Sequence, residues 1–191
     1  MDKTQWRKQY LKMRQSRSGD ELSAASEQIC RHLLELDEIK NSKTVMLYIS
    51  FNKEPDTHRL AEELLSLGKT VCAPLCDPER LSMSAYRFDA FSSLIKGTYG
   101  ILEPKPELPV PAEDMDCVLV PGCVFGRNFH RIGYGKGYYD RFLPQVPHAV
   151  KIGLCYDFCL AEQVEAGEYD VAVDLIVTDK GVLRQNEYPV F

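Results

Sequence analysis

"TVMLYIS", residues 44–50, carries no charge and is rich in branched apolar residues. So short a run fits a strand covered on both faces inside a parallel sheet, because a strand with one wet face would alternate apolar and polar residues. The flanking segments support that reading. Upstream, Leu22, Ala25, Ile29, Leu33 and Leu36 recur at helical spacing behind a Ser18/Glu21 capping box, which predicts a helix over 20–36. Downstream, Leu60, Leu64 and Leu67 share one face of a helix that starts at Asp56 or Thr57 and stops at Gly68. "KTVCAPL" (69–75) then supplies a second buried strand. Helices alternating with buried strands define an α/β fold.

The series continues with strands at "DCVLVPG" (116–122), "AVKIGLC" (149–155) and "VAVDLIVT" (171–178), and with an N-terminal helix over 2–17. "LSMSAYRF" (81–88) reads as an edge strand, and residues 96–114, with Pro104, Pro106, Pro109 and Pro111, as a long loop of the kind that often carries function. A chain of 191 residues suits one domain, taken as 1–191.

Composition narrows the function. A net charge of −5 gives the whole molecule no electrostatic footprint for nucleic acid or an anionic membrane. "MDKTQWRKQY" lacks the apolar core of a signal peptide, and no apolar run is long enough for a spanning helix, so the expected location is cytoplasmic. The cysteines, seven in all, include no C-x-x-C pair; Cys72, Cys117 and Cys155 lie inside strand-like runs, where a thiol packs as a small apolar group, and structural zinc is not expected.

The chemistry concentrates in "RIGYGKGYYDRFL", 131–143. Gly133, Gly135 and Gly137 permit positive φ and let peptide N–H groups approach a ligand, while a helix beginning at "KGYYD" would aim its positive end there. Arg131 and Lys136 add full charges suited to a polyphosphate, Tyr138 and Tyr139 offer faces or hydroxyls, and Asp140 could orient a cation or hold Mg²⁺ through an oxygen, or simply be a carboxylate favoured in a helix's first turn. The spacing matches neither the P-loop nor the dinucleotide fingerprint, so the pattern alone is equally a structural turn. Lys3 and Arg7, on one helix face, read by their spacing alone as a solvated basic pair. Asp174, set between "VAV" and "LIV", is costly to bury unless paired or metal-bound.

"PGCVFGRNFHRIGYGKGYYDRFL" (121–143) resembles the signature of the 5-formyltetrahydrofolate cyclo-ligase family, and "YISFNKEPDT" (48–57), "GTYGILEP" (97–104) and "YDVAVDLIVTDKG" (169–181) resemble further blocks of that family in the same order. The resemblance implies a three-layer, Rossmann-like domain with a mostly parallel sheet. It also implies an ATP- and Mg²⁺-dependent closure of 5-formyltetrahydrofolate to 5,10-methenyltetrahydrofolate, with release of ADP and phosphate. The γ-phosphoryl group would activate the formyl oxygen, N10 would attack the carbon, and phosphate would leave.

Carried over residue by residue, the resemblance assigns ATP to Lys3, Arg7, Arg131, Ile132, Gly133, Tyr134, Gly135, Lys136, Gly137, Tyr138 and Tyr139, with Arg131 and Lys136 in catalysis. It assigns the folate to Ile49, Glu54 and the loop from Tyr134 to Tyr138, and Mg²⁺ to Asp140 and Asp174. The expected partners are the two small molecules, with no nucleic acid or membrane, and the expected state is a monomer or weak homodimer. Gly126 and Phe129 stand where the family commonly has Asp and Gly, Cys159 where it has Gln, and Tyr169 where it has His.

Overall fold

Residues 44–46 become an inner strand of a seven-stranded sheet. The computed structural model describes residues 1–97 and 100–185; Thr98 and Tyr99 of the "GTYGILEP" block lie outside the described residues, as do 186–191 of the expected domain. In chain order the elements are α1 (Lys3–Gln15), α2 (Gly19–Glu35), α3 (Asp37–Asn41), β1 (Thr44–Met46), α4 (His58–Ser66), β2 (Thr70–Asp77), β3 (Ser82–Arg87), β4 (Ile95–Lys96), β5 (Leu102–Glu103), β6 (Cys117–Val120), β7 (Val124–Gly126), β8 (Arg131–Ile132), α5 (Tyr138–Phe142), β9 (Val150–Leu154), β10 (Leu160–Ala161), β11 (Leu175–Thr178) and β12 (Gly181–Arg184). The sheet order is β12-β11-β9-β6-β1-β2-β3. Its five inner strands are parallel, and β3 and β12 close the edges antiparallel.

Alternation along β1 separates two apolar layers. Val45 and Leu47 pack with Ile29, Leu33, Leu60 and Leu64 of α2 and α4. Met46 points to the other side, among Tyr10 of α1, Phe125, Phe129, Ile132 and Phe142 of α5. The small sheet β10-β7-β8 belongs to this second side, so the arrangement is three-layered. Cys72, Cys117 and Cys155 are buried as expected, and burial pushes the Cys72 thiol up to about 12, where it stays protonated and packs as an apolar group. Among the described residues no helix is long and apolar enough to cross a membrane.

Three expectations change. The ladder of β1 stops at Met46; Leu47 N–H still reaches Cys72 O at 2.9 Å, but the chain then leaves the sheet and turns through left-handed Asn52 and Lys53. Strand β11 begins after Asp174 rather than at Val171, because Val173 N–H is taken by Phe129 O. The segment 96–114 is also more regular than a loop. It forms the β4–β5 hairpin and returns along β3, with Arg87 N–H donating to Leu108 O and Val110 N–H to Ala85 O.

The turn from β7 to β8 explains two departures from the family pattern. A Cβ on Gly126 would lie 2.1 Å from Asn128 Oδ1 and 2.8 Å from Val164 N, so an aspartate has no room there. Phe129 adopts φ 64 yet is fully buried; its left-handed backbone costs about 1–2 kcal/mol, which burial of the ring offsets at about 1.5–3 kcal/mol. Phe125 packs just as closely on β9, where a Cβ on Gly153 would lie 2.3 Å from its ring. Gly153→Ala is expected to lower stability by about 1–3 kcal/mol through overpacking, read as a lower denaturation midpoint at unchanged m-value.

Candidate active site

From β1 the chain builds the sheet in one direction through β2 and β3, then returns to add β6, β9 and β11 on the other side of β1. The order therefore reverses between β1 and β6, and a ligand crevice is expected at the carboxyl ends of the strands there. A cavity of about 550 Å³ opens at that place, bordered by Tyr48 and Ile49 beyond β1 and by Pro121 beyond β6. Pro74, Cys76, Met83, Ile101 and Leu102 give it an apolar wall; Lys3, Arg7 and the loop from Arg131 to Asp140 supply the polar one.

Within the loop, Gly135 (φ 95) and Gly137 (φ 66) are left-handed, and Gly137 caps α5. Gly133 is not, which corrects the expectation that all three glycines serve positive φ. Gly135 also lies beneath Arg7, since a Cβ there would be 3.3 Å from the Arg7 Cζ. Arg7 Nε donates to Gly133 O at 2.7 Å, and Arg141 Nη2 donates to Lys136 O at 2.5 Å, so the loop is tied down from both sides. The Lys136 side chain is exposed, and among the described residues its ammonium makes no hydrogen bond or ion pair. Helix α5 has only five residues, too short to supply much of a dipole. The positive field must come from side chains.

Cations and carboxylates pair with one another. Arg131 is buried; its Nη1 donates to Val171 O at 2.9 Å and its Nη2 to Asp140 Oδ1 at 2.9 Å. Asp140 Oδ1 also accepts from Val171 N at 3.3 Å. Lys3 forms an ion pair with Asp170, whose Oδ2 accepts from Gly167 N at 2.8 Å. Burial works against the Asp170 charge, but the Gly167 amide, Lys3 and Arg131 together hold its carboxyl below the usual range.

Asp174 does not join this group. Its Oδ2 accepts from Lys151 N at 2.8 Å, where β9 and β11 begin, at the edge of the sheet opposite the cavity. The expected pairing of Asp140 with Asp174 is therefore corrected: Asp174 does not border the cavity, and the carboxylates that do so beside Asp140 are Asp170, Glu54 and Glu103. A strand over 171–178 would have set Asp174 in its middle; because β11 starts only at Leu175, Asp174 sits at the amino edge, away from the ligand crevice.

Glu54 borders the cavity next to the loop. Its Oε1 accepts from the Tyr134 hydroxyl at 2.5 Å and its Oε2 from Phe51 N at 3.0 Å, while burial pushes its carboxyl up. Tyr138 packs against the Arg141 guanidinium, 5.8 Å from its ring centroid. The Tyr139 hydroxyl is buried without a hydrogen-bond partner among the described residues. Sequence reasoning missed Phe51, which borders the cavity, and Arg14, which donates to the Tyr134 hydroxyl at 2.7 Å. Arg14 is seven residues beyond Arg7 on α1, so the basic face of that helix extends farther than the first pair.

A parallel sheet with its cavity at the switch point, walled by a fixed glycine loop, paired cations and carboxylates, defines an α/β protein built to hold an anionic small molecule. The family model of the 5-formyltetrahydrofolate cyclo-ligase family matches residues 1–179, and the chain belongs to that family. It is similar to the 5,10-methenyltetrahydrofolate synthetase of Aquifex aeolicus, with 36% identity and a TM-score of 0.88 over 100% of this chain and 96% of that one. It is also similar to the Mycoplasma pneumoniae 5,10-methenyltetrahydrofolate synthetase, with 27% identity and a TM-score of 0.77 over 94% and 99% of the two chains. The 5-formyltetrahydrofolate cyclo-ligase of Mycolicibacterium smegmatis is 31% identical over 150 residues, 73% of this chain and 75% of that protein.

Proposed function

We propose that the chain catalyses ATP-dependent ring closure of 5-formyltetrahydrofolate to 5,10-methenyltetrahydrofolate, yielding ADP and phosphate. The observation that carries this reading is a single cavity bordered both by the Lys3, Arg7, Arg131 and Lys136 cations and by Glu54, Tyr134 and Tyr138. A phosphate donor and a folate held there would meet at the glycine loop.

An N-formyl group is an amide, a poor electrophile with a poor leaving oxygen. Transfer of the γ-phosphoryl group to that oxygen makes ADP and turns the oxygen into part of a phosphate ester. N10 then attacks the formyl carbon, loses its proton, and the carbon–oxygen bond breaks to release phosphate. Such a reaction needs alignment and charge stabilisation rather than a protein nucleophile. In this reading Lys3 and Arg7 hold phosphate oxygens, and Lys136 follows the charge that develops on the moving phosphoryl group. Arg131, held by Val171 and Asp140, fixes the wall behind it. Ile132, Gly133, Gly135 and Gly137 shape the backbone that faces the nucleotide, and Tyr139 supports it. Glu54, Tyr134, Tyr138 and Ile49 take the folate.

For Mg²⁺ the donor set fits: Asp140 and Asp170 offer hard oxygens at the cavity, and Mg²⁺ ordinarily takes one or two carboxylates plus waters and phosphate oxygens. When bound, the ion neutralises charge on the transferring phosphates. Asp170→Asn is expected to raise the Mg²⁺ concentration needed for half-maximal activity by about tenfold or more, whereas Asp174→Asn leaves it unchanged. A Mg²⁺ titration of both variants decides between the two assignments. We also place the protein in the cytoplasm, as a monomer or weak homodimer; its free thiols suit a reducing compartment.

The reading as a whole is tested by ADP release. ATP turnover should depend on added 5-formyltetrahydrofolate, and turnover indifferent to the folate would point to another substrate.

A further inference from the structure

Arg14 lies in the last turn of α1 and is 2% exposed, one of the most buried large side chains in the molecule. Taking a guanidinium out of water is expensive unless partners replace its hydration. Arg14 has few: Nη2 donates to the Tyr134 hydroxyl at 2.7 Å, the guanidinium carbon lies 5.9 Å from that ring's centroid, and Nε has no hydrogen-bond partner among the described residues. Its charge is met by Tyr134 and Glu54, which border the cavity, rather than by groups of the core.

Its hydrogen bond to the Tyr134 side chain does more than fill space. Arginine has only donors, so it occupies a lone pair of the Tyr134 oxygen and commits the tyrosine's own proton elsewhere. That proton goes to Glu54 Oε1 at 2.5 Å. The directed chain Arg14–Tyr134–Glu54 thus holds Glu54 as an acceptor although burial opposes its charge. It joins three segments distant in sequence: α1, the glycine loop and the loop after β1. A second latch aligns the same parts, with Lys53 Nζ donating to Gln15 O and Arg17 O, both at 2.9 Å, and Gln15 Nε2 donating to Asn52 Oδ1 at 2.5 Å.

We propose that Arg14 is a positioning residue for the folate end of the site, fixing the Tyr134–Glu54 pair in the geometry that receives the substrate. The proposal rests on the cyclo-ligase reading. The titratable groups facing Glu54 are Tyr134 on the loop, Tyr139 on α5, Tyr48 beyond β1, Cys123 before β7 and Tyr156 beyond β9, whose hydroxyl donates to Glu54 O at 3.1 Å; Cys123 also faces Arg14 and Tyr134. Arg14 supplies the positive charge that favours ionised Glu54. Removing it lets Glu54 take a proton at higher pH, so folate binding should fail sooner as pH falls.

The experiment measures Kd for 5-formyltetrahydrofolate and for ATP by titration calorimetry across pH, with thermal melts, for the full-length wild type, Arg14→Met, Arg14→Lys, Tyr134→Phe and the Met/Phe double variant. Arg14→Met is expected to weaken folate binding about tenfold or more, the scale of one hydrogen bond to a charged group. It should move the acidic limb of binding to higher pH and leave ATP affinity within about twofold. Arg14→Lys should restore the pH limb in part. Tyr134→Phe cuts the chain from its other end, so it should weaken folate binding comparably, and the double variant should be no worse than the poorer single one. Wild-type folate affinity in Arg14→Met, an equal fall in both affinities with no pH shift, or additive losses in the double variant would overturn the proposal. If Arg14→Met does not fold, Arg14→Lys and Tyr134→Phe decide it on the same criteria. Wild-type protein that binds ATP but no folate would overturn the cyclo-ligase reading and this proposal together.

Discussion

Lys136→Ala is expected to lower kcat by about 10²- to 10³-fold, the usual loss when one preorganised stabiliser of transition-state charge is removed. Its effect on stability should stay within about 0.5 kcal/mol. The contrast follows from its place in the loop. The backbone around Lys136 is fixed by left-handed Gly135 and Gly137 and by the bond from Arg141 to Lys136 O, none of which uses the lysine side chain. That side chain is exposed and has no ion-pair partner among the described residues, so truncation leaves no buried group unsatisfied. What it removes, in the proposed mechanism, is a cation that follows the phosphoryl group. Steady-state kinetics beside a denaturation curve separates the two effects, and a variant that turns over like the wild type would take Lys136 out of the mechanism.

Asp140→Asn should be nearly as damaging for a different reason. One oxygen, Oδ1, serves Arg131 Nη2 at 2.9 Å and Val171 N at 3.3 Å, so Asp140, besides the metal role proposed for it, neutralises a guanidinium whose side chain is 5% exposed. The asparagine removes that negative charge and leaves Arg131 buried with neutral partners only, the Val171 carbonyl, an amide oxygen and the Tyr139 ring. The expected result is a loss of about 1–3 kcal/mol of stability and a Mg²⁺ requirement raised about tenfold or more. Turnover should be partly recovered at high Mg²⁺, which a purely structural defect would not show. An unchanged metal dependence would remove Asp140 from the Mg²⁺ site.

Much of this molecule was legible in its residues, and the reason differs from place to place. The apolar runs at 44–50, 116–122 and 149–155 named the buried parallel strands because only two-sided burial tolerates such sequences. The capping box at Ser18 gave the start of α2, where Ser18 Oγ accepts from Glu21 N and the Glu21 carboxylate accepts from Ser18 N. The hairpin hidden in 96–114 was not legible. Its strands are two residues each, below the length at which periodicity carries information, and Pro104 to Pro111 masked its return along β3.

At the site, the glycine loop and its cations were visible as a cluster in the sequence, whereas partners contributed singly from afar were not. Arg14 reaches Tyr134 across 120 positions, and Asp170 reaches Lys3 across 167. Composition gives no hint of such pairings. The resemblance pointed to Asp174, which stands inside an apolar run, yet that placement puts it at the amino edge of β11, accepting from Lys151 N.

The most direct test of the central claim is to mix purified protein with MgATP and 5-formyltetrahydrofolate and follow methenyl absorbance together with ADP. The account predicts that product appears, one ADP for each 5,10-methenyltetrahydrofolate, and that both cease when ATP is omitted. Folded protein that binds both substrates yet forms neither product, beside a working control enzyme, would contradict it.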